Sequence, residues 1–355
     1  MRGQPRSYVR PKEVGFPYVL VALALIVGAT AVPGFLSLGH LSSLSMTAAY
    51  IGIIAIGQTL VLLLGGIDLS VPYMINLAAV LLTGFQFLNL SSASGIALVL
   101  LITAGAGLLN GLGVALFDIS PLVMTLGMNS ILEGVALIYT SGNPKGNSPG
   151  FVTTLSTGGT GIPYVVILWI ALAVIVTIVL VFTRFGRDIY SIGSNRTASV
   201  LSGLPVKRTI VLAYVVSGLS AGLGGILLTG YSGQSYFGMG DNYLLPSIAI
   251  VVIGGTSISG GKGSYVQTVA GALLITIIQA GLVTVNVTQA GQDMLYGAVI
   301  LLMAYLNRVF VTRDRGRLKL WSGGLSGWLE PVGQVRESVI IAPKPTDEPT
   351  QTASH

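Results

Sequence analysis

The sequence predicts an all-α, polytopic membrane protein with about ten transmembrane helices and both termini in the cytoplasm. Three observations carry that prediction. The first is composition. Only 8% of the 355 residues are charged and 52% are hydrophobic, with a mean hydropathy of +0.82, whereas about 25% of an average soluble domain is charged. So few charges could not keep a soluble chain of this size dispersed. Gly is also abundant, at 48 residues, without a Gly-X-Y period; small residues in apolar helices let backbones approach closely in a membrane. Together these features exclude a soluble enzyme, a nucleic-acid binder and a disordered chain.

The second observation is a series of ten apolar segments, each near the length of about 20 residues that crosses a hydrocarbon core. They run 18–35, 44–64, 71–90, 96–116, 122–140, 162–182, 210–230, 243–259, 266–285 and 294–306. The third, eighth and tenth are the weakest, being short or interrupted by Gly and polar residues. The third observation is charge placement. With ten spans and an inside N-terminus, all of the 18 Lys and Arg residues except Lys145 fall on the cytoplasmic side, as the positive-inside rule requires. The chain thus divides into an arm (1–16), a membrane domain (17–307) with a long cytoplasmic loop (183–209), and a Pro-, Thr-, Glu- and Gly-rich tail (308–355) expected to be largely disordered.

Along the chain, the first segment follows a basic arm and ends near Ala29-Thr30-Ala31, like a signal peptide. The spans that follow favour an uncleaved helix. The second and third segments meet at Gly65-Gly66-Ile67-Asp68-Leu69-Ser70. Asp68 and Ser70 there are expected to cap a helix, with a structural turn beside a solute path or the cytoplasmic interface as the functional alternative. Glu133 sits well inside the fifth segment, and an intramembrane carboxylate is a functional candidate. It could contact a polar solute, pair with a base or be protonated; alternatively it lies nearer the outer interface, wetted by a vestibule. Asp293, at the start of the tenth segment, is expected to cap a helix.

Neutral polar groups inside the spans, Gln58, Asn76, Asn110, Thr125, Asn129, Thr276 and Gln279, suit either interhelical hydrogen bonds or a path for an uncharged, polyhydroxy solute. Gly107 with Gly111, and Gly218 with Gly222, have the spacing of close helix contacts. The stretch from Gly254 and Gly255 to Gly261 fails as a phosphate loop. Thr256 stands where the first Gly belongs and Gly263 where a hydroxyl is needed. It is expected to be a Gly-rich turn at a helix end. Within 183–209, residues 194–201 have the signals of a short helix, opened by Ser194 or Asn195 and closed by Gly203 before Pro205. It suits either a lever that presses into a partner or a helix lying on the membrane surface. With no Cys, and only His40 and His355, disulfides, thiolate sites and His-based metal sites are excluded.

These residues also carry a resemblance. Gly57-Gln58-Thr59-Leu60-Val61 leading into Gly65–Ser70, Asn110-Gly111 with Pro121 and Thr125-Leu126-Gly127, the run 186–203 and the run 253–263 resemble the transmembrane permeases of bacterial ABC sugar importers of the ribose, xylose and arabinose type. The likeness covers roughly 17–307. It implies a permease in the bacterial inner membrane that pairs with a second permease subunit, a cytoplasmic ATPase and an external solute-binding protein. ATP and Mg would be bound by the ATPase and no cofactor by this chain. By resemblance, Gly186, Arg187, Gly193, Asn195, Ala198 and Gly203 belong to the loop that docks on the ATPase. The sequence departs from the family at Pro72, where Gly is usual, at Glu133, where Arg is common, and at Leu245-Pro246, where an acidic residue is frequent.

Overall fold

The structure is a computed structural model that describes residues 11–87, 91–159 and 161–322. Most of the predicted arm and tail therefore lies outside the described residues. Among the described residues thirteen α-helices follow one another: α1 (Pro11–Ala31), α2 (Leu38–Leu63), α3 (Val71–Phe87), α4 (Ser92–Leu116), α5 (Pro121–Thr140), α6 (Gly150–Thr157), α7 (Tyr164–Phe182), α8 (Arg184–Ser194), α9 (Arg196–Leu201), α10 (Val206–Ser232), α11 (Leu244–Ile253), α12 (Tyr265–Thr284) and α13 (Gln289–Ser322). One 3₁₀ turn, Asp241–Tyr243, precedes α11. Among the described residues the only strand-like feature is an isolated bridge between Asn147 and Gln234. The chain divides into two units, Met1–Asn307 and Arg308–His355.

Every predicted apolar segment overlaps a helix. Six helices, α2, α4, α5, α7, α10 and α12, are long and apolar enough to cross a membrane; Gly15–Ala31, Val71–Phe85 and Asp241–Ile253 are shorter apolar helices. The all-α, polytopic class is thus present in the structure. Three details differ from the sequence expectation. The eighth segment is helical only over Leu244–Ile253, about 15 Å of rise and half a hydrocarbon core. Beyond it Gly255, Gly260, Gly261 and Gly263 all take positive φ, which a helix cannot accommodate. The 183–209 loop holds two helices, not one. Asn195 leaves helical geometry (φ −160°, ψ 100°) and its side chain accepts the Ala198 N–H at 2.9 Å, ending α8 and capping α9. Asp293 does not cap a helix: α13 begins four residues earlier, and Asp293 Oδ1 accepts from Gln289 Nε2 at 3.0 Å.

The core of the first unit is built round α2, whose residues from Ala48 to Leu63 are all buried. A helix apolar on every side belongs in such a position. Its neighbours are α7, α8, α10, α11 and α12. The predicted glycine pairs explain the tightest crossing. A Cβ on Gly107 of α4 would overlap the Tyr214 carbonyl of α10, and one on Gly218 of α10 would overlap the Thr103 carbonyl of α4. Gly111 meets the Val211 backbone in the same way, and Gly222 lies against the Thr103 side chain. Backbone-to-backbone contact of this kind lets dispersion replace the hydrophobic effect as the force between membrane helices.

Candidate functional site

Gly193, at the end of α8, is the centre of a junction between the 183–209 segment and the helical core. A Cβ there would overlap the carbonyl oxygen of Leu63, the last residue of α2, and would lie 2.6 Å from the Gly261 nitrogen. Gly261 N–H donates to that same Leu63 carbonyl at 2.9 Å. Gly260 packs against Gly65, Gly193 and Leu63, and Gly261 against Ser194. The Tyr190 hydroxyl adds a bond to the Gly263 carbonyl at 2.9 Å. Three segments thus meet with only glycines between their backbones. At the other end of α8, Gly186 is buried against the Leu180 backbone of α7, and Thr183 caps the helix by accepting from Gly186 N–H at 3.3 Å. α9, by contrast, is exposed. Arg196, Ala198, Val200 and Leu201 face outward, Leu201 at 84%. Arg196 pairs with Asp118 of the α4–α5 loop at 2.7 Å, both side chains open to solvent. Gly203 follows in a left-handed conformation (φ +73°), the geometry expected just past a helix end.

The turn between α2 and α3 carries a second polar group. Asp68 is fully buried. It accepts from Ser70 N–H at 3.0 Å, from Ser70 Oγ at 2.5 Å and from Ser217 Oγ of α10 at 2.7 Å. Asn110 of α4 donates to Ser70 Oγ at 2.9 Å, and Thr125 Oγ1 of α5 accepts from Leu69 N–H at 3.0 Å. Gly66 packs beneath the Tyr214 hydroxyl, and Gly65 takes φ +80°. Among the described residues no Lys, Arg or His pairs with Asp68. Its charge is met by hydroxyl dipoles and by the start of α3. The turn is therefore tied to α4, α5 and α10 at once.

Further along α3 lies a third group. Asn76 Oδ1 accepts from Gly238 N–H at 2.9 Å, and the Tyr73 ring stacks at a tilt against Phe237 with centroids 6.0 Å apart. α5, which carries Glu133, and the Asp241–Tyr243 turn both pack against α3, bringing Tyr73, Glu133 and Asp241 within electrostatic reach of one another. Pro72, within the first turn of α3, lacks only an N–H that the helix would not use; its carbonyl closes on Gly240. The remaining polar residues of the spans stand apart. Gln58 is fully buried with both amide atoms unpartnered. Asn129 Oδ1, Thr276 Oγ1 and Gln279 Oε1 are also without partners. Among the described residues no hydrogen bond joins Gln58, Asn129 or Gln279 to either polar group.

Residues 40–304 match the family described as branched-chain amino acid transport system / permease component. The chain belongs to that permease family. It is 35% identical over 295 residues to the ribose import permease of Bacillus subtilis (strain 168), covering 82% of this chain and 92% of that protein. It is 30% identical over 303 residues to a D-allose transport system permease of Escherichia coli (strain K12), covering 84% and 92%. It is 32% identical over 303 residues to a fructose import permease of Bifidobacterium longum (strain NCC 2705), covering 82% and 88%. No solved structure matches. The resemblance read from the motifs is therefore shown: the chain is a membrane transport component of the ABC permease class.

In this permease the structure joins Asp68, Ser70 and Asn110 in one network and ties Thr125 to the same turn, while Asn76 bonds Gly238 and Glu133 stands on α5, which packs against the same helix α3. It places Gly193, Gly254, Gly255 and Gly261 around turns, with Gly254 against the Gln267 carbonyl. Four participants were missed in the sequence. Ser217 and Tyr214 sit in a glycine-rich helix that advertised packing, and Tyr73 looked like core. Asp241 lies just outside the eighth apolar segment, so no span rule brought it forward.

Proposed function

We propose that this permease forms the membrane path of an ATP-driven importer for a monosaccharide. It crosses the bacterial inner membrane ten times with both ends cytoplasmic and works beside a second permease subunit. A cytoplasmic ATPase binds and hydrolyses Mg-ATP, an external solute-binding protein delivers the sugar, and this chain itself carries neither activity. The extensive likeness to the ribose, allose and fructose permeases supports this reading most directly. A branched-chain amino acid cargo is the second reading, since the family description names it.

The geometry suits coupling by a rigid lever. α9 presents uncovered Ala198, Val200 and Leu201, an apolar patch of the kind that marks a partner surface. Arg187, Asn195 and Gly203 frame it. Behind it, the Gly193–Leu63–Gly261 junction passes any displacement of α8 to the inner end of α2 and to the Gly-rich turn. ATP-driven closure of the ATPases would then shift the permease pair between outward- and inward-facing arrangements. Of the polar span residues, Gln58, Asn76, Asn129, Glu133 and Gln279 are assigned to the path. Asn110 and Thr125 hold the Gly65–Ser70 turn beside it.

Mild-detergent purification from the native membrane, with mass spectrometry of the co-purifying chains, tests this function. Wild type is expected to bring down an ATPase that Ala198→Glu loses while its own membrane level is unchanged. Wild-type permease recovered alone, with uptake that follows the proton gradient, would overturn it.

A further inference from the structure

The group formed by Tyr73, Asn76, Glu133 and Asp241 has a chemistry that packing does not explain. Glu133 is 12 residues from the start of α5 and 7 from its end, about 18 Å and about 10 Å along the axis. An ionised carboxylate at that depth costs a few kcal/mol unless it meets water, protein or ligand. Among the described residues no cation pairs with it. Within its electrostatic reach is instead a second acid, Asp241. Asp241 is carried toward α3 because the chain after α10 turns back along it. Gly240 lies against Pro72, Gly238 N–H bonds Asn76 Oδ1 at 2.9 Å, and the Asp241 carboxylate folds to within 2.6 Å of where a Gly238 Cβ would stand. Asn76 and Asp241 therefore flank one glycine.

The unpartnered atoms indicate what belongs between them. Asn76 is fully buried and its Oδ1 is occupied, which fixes the amide orientation and leaves Nδ2, a donor, without a partner. A metal cation would have no use for that donor. The two carboxylates, conversely, accept and cannot donate when ionised. A group that must accept from Asn76 and donate to Glu133 or Asp241 is a hydroxyl, and two carboxylates ask for more than one. The Tyr73–Phe237 pair supplies an apolar wall beside them, as small-molecule sites usually have. Asp241 itself remains exposed, so the group is open on one side.

We propose that Asn76, Glu133 and Asp241, backed by Tyr73, form a hydroxyl-binding subsite in the path, engaging adjacent hydroxyls of the monosaccharide as it crosses. The inference rests on the importer function above. Asp241 becomes a specificity-determining residue, although it lies outside every motif of the chain. Because the solute-binding protein sets the half-saturating sugar concentration, the subsite shows in maximal rate and in discrimination between sugars.

The test reconstitutes the full transporter, with its ATPase and binding protein, and follows uptake of labelled D-ribose, D-allose and D-fructose. The sugar that wild type carries best is then compared with its monodeoxy analogues. Asp241→Asn and Glu133→Gln keep the side-chain shapes and remove the charged acceptors. Each is expected to lower maximal uptake about 10–100-fold, the loss of one charge-assisted hydrogen bond, without moving half-saturation. One deoxy analogue should be carried by wild type at that same reduced rate and be indifferent to the substitution. Permease level and bound ATPase, measured in the same vesicles, report assembly. Wild-type rates and unchanged analogue discrimination in both variants would overturn the subsite and leave the importer standing. No uptake of any of the three sugars by assembled wild type would overturn the sugar function and the subsite with it.

Discussion

Gly193→Ala isolates the junction between α8 and the core. Gly193 is helical and is not among the residues with positive φ, so alanine meets no backbone strain there. Its intrinsic helix propensity even favours the variant by up to about 1 kcal/mol. The added methyl, however, overlaps the Leu63 carbonyl and stands 2.6 Å from Gly261 N. Every nearby atom is backbone, so no side chain can rotate away. Overpacking costs about 1–3 kcal/mol, and prying apart the Gly261–Leu63 bond strands two buried polar groups at about 1–3 kcal/mol more. After the propensity gain, a net loss of about 1–5 kcal/mol is expected. Thermal unfolding of the detergent-purified permease reads the stability, and sugar carried per ATP hydrolysed reads the coupling. Both should fall. Gly134→Ala, where the new methyl meets nothing within 4 Å, is the matched control: it carries only the propensity gain, so it should lower neither stability nor coupling. A Gly193→Ala permease as stable and as well coupled as wild type would refute the argument.

The other predictions concern the buried turn, the helix crossing and the surface ion pair. Asp68→Ala removes the acceptor of three hydrogen bonds and should cost about 2–5 kcal/mol, seen as lost membrane accumulation; Asp68→Asn should retain part of it. Thr125→Val strands Leu69 N–H at about 1–3 kcal/mol, read as a lower unfolding midpoint with unchanged sugar selectivity. Gly218→Val drives side-chain atoms into the Thr103 backbone and should separate α4 from α10, reducing folded permease recovered in mild detergent. Asp118→Asn removes the charge from an exposed pair, worth about 0–1 kcal/mol, and keeps a residue type that tolerates the positive φ there, so its unfolding midpoint should match wild type.

How far the sequence reveals this molecule depends on which force shaped each part. Apolar length exposes the long helices, because nothing else satisfies backbone polar groups in lipid. It overextends the eighth segment, since residues 254–259 carry no charge to end a span while the glycine geometry that stops the helix after Ile253 is not a hydropathic signal. α8 is hidden for a related reason. Gly186 and Gly193 lower its propensity, and the close contacts that require them, with Leu180 and Leu63, are tertiary. The Asp68 turn is half legible: its carboxylate draws attention, but Ser217, 149 residues away, is found only when α10 is folded against it. Glu133 stands out as an intramembrane acid, whereas Tyr73 comes within its reach only through the packing of α3 on α5, and Asp241 only through the return of the chain along α3.

The most direct test of the importer function is labelled-sugar uptake by proteoliposomes holding the permease, its ATPase and its binding protein, with ATP supplied or withheld inside and an uncoupler present throughout. The account predicts uptake of a monosaccharide that requires internal ATP and survives the uncoupler. Uptake that proceeds without ATP and collapses with the proton gradient would contradict it.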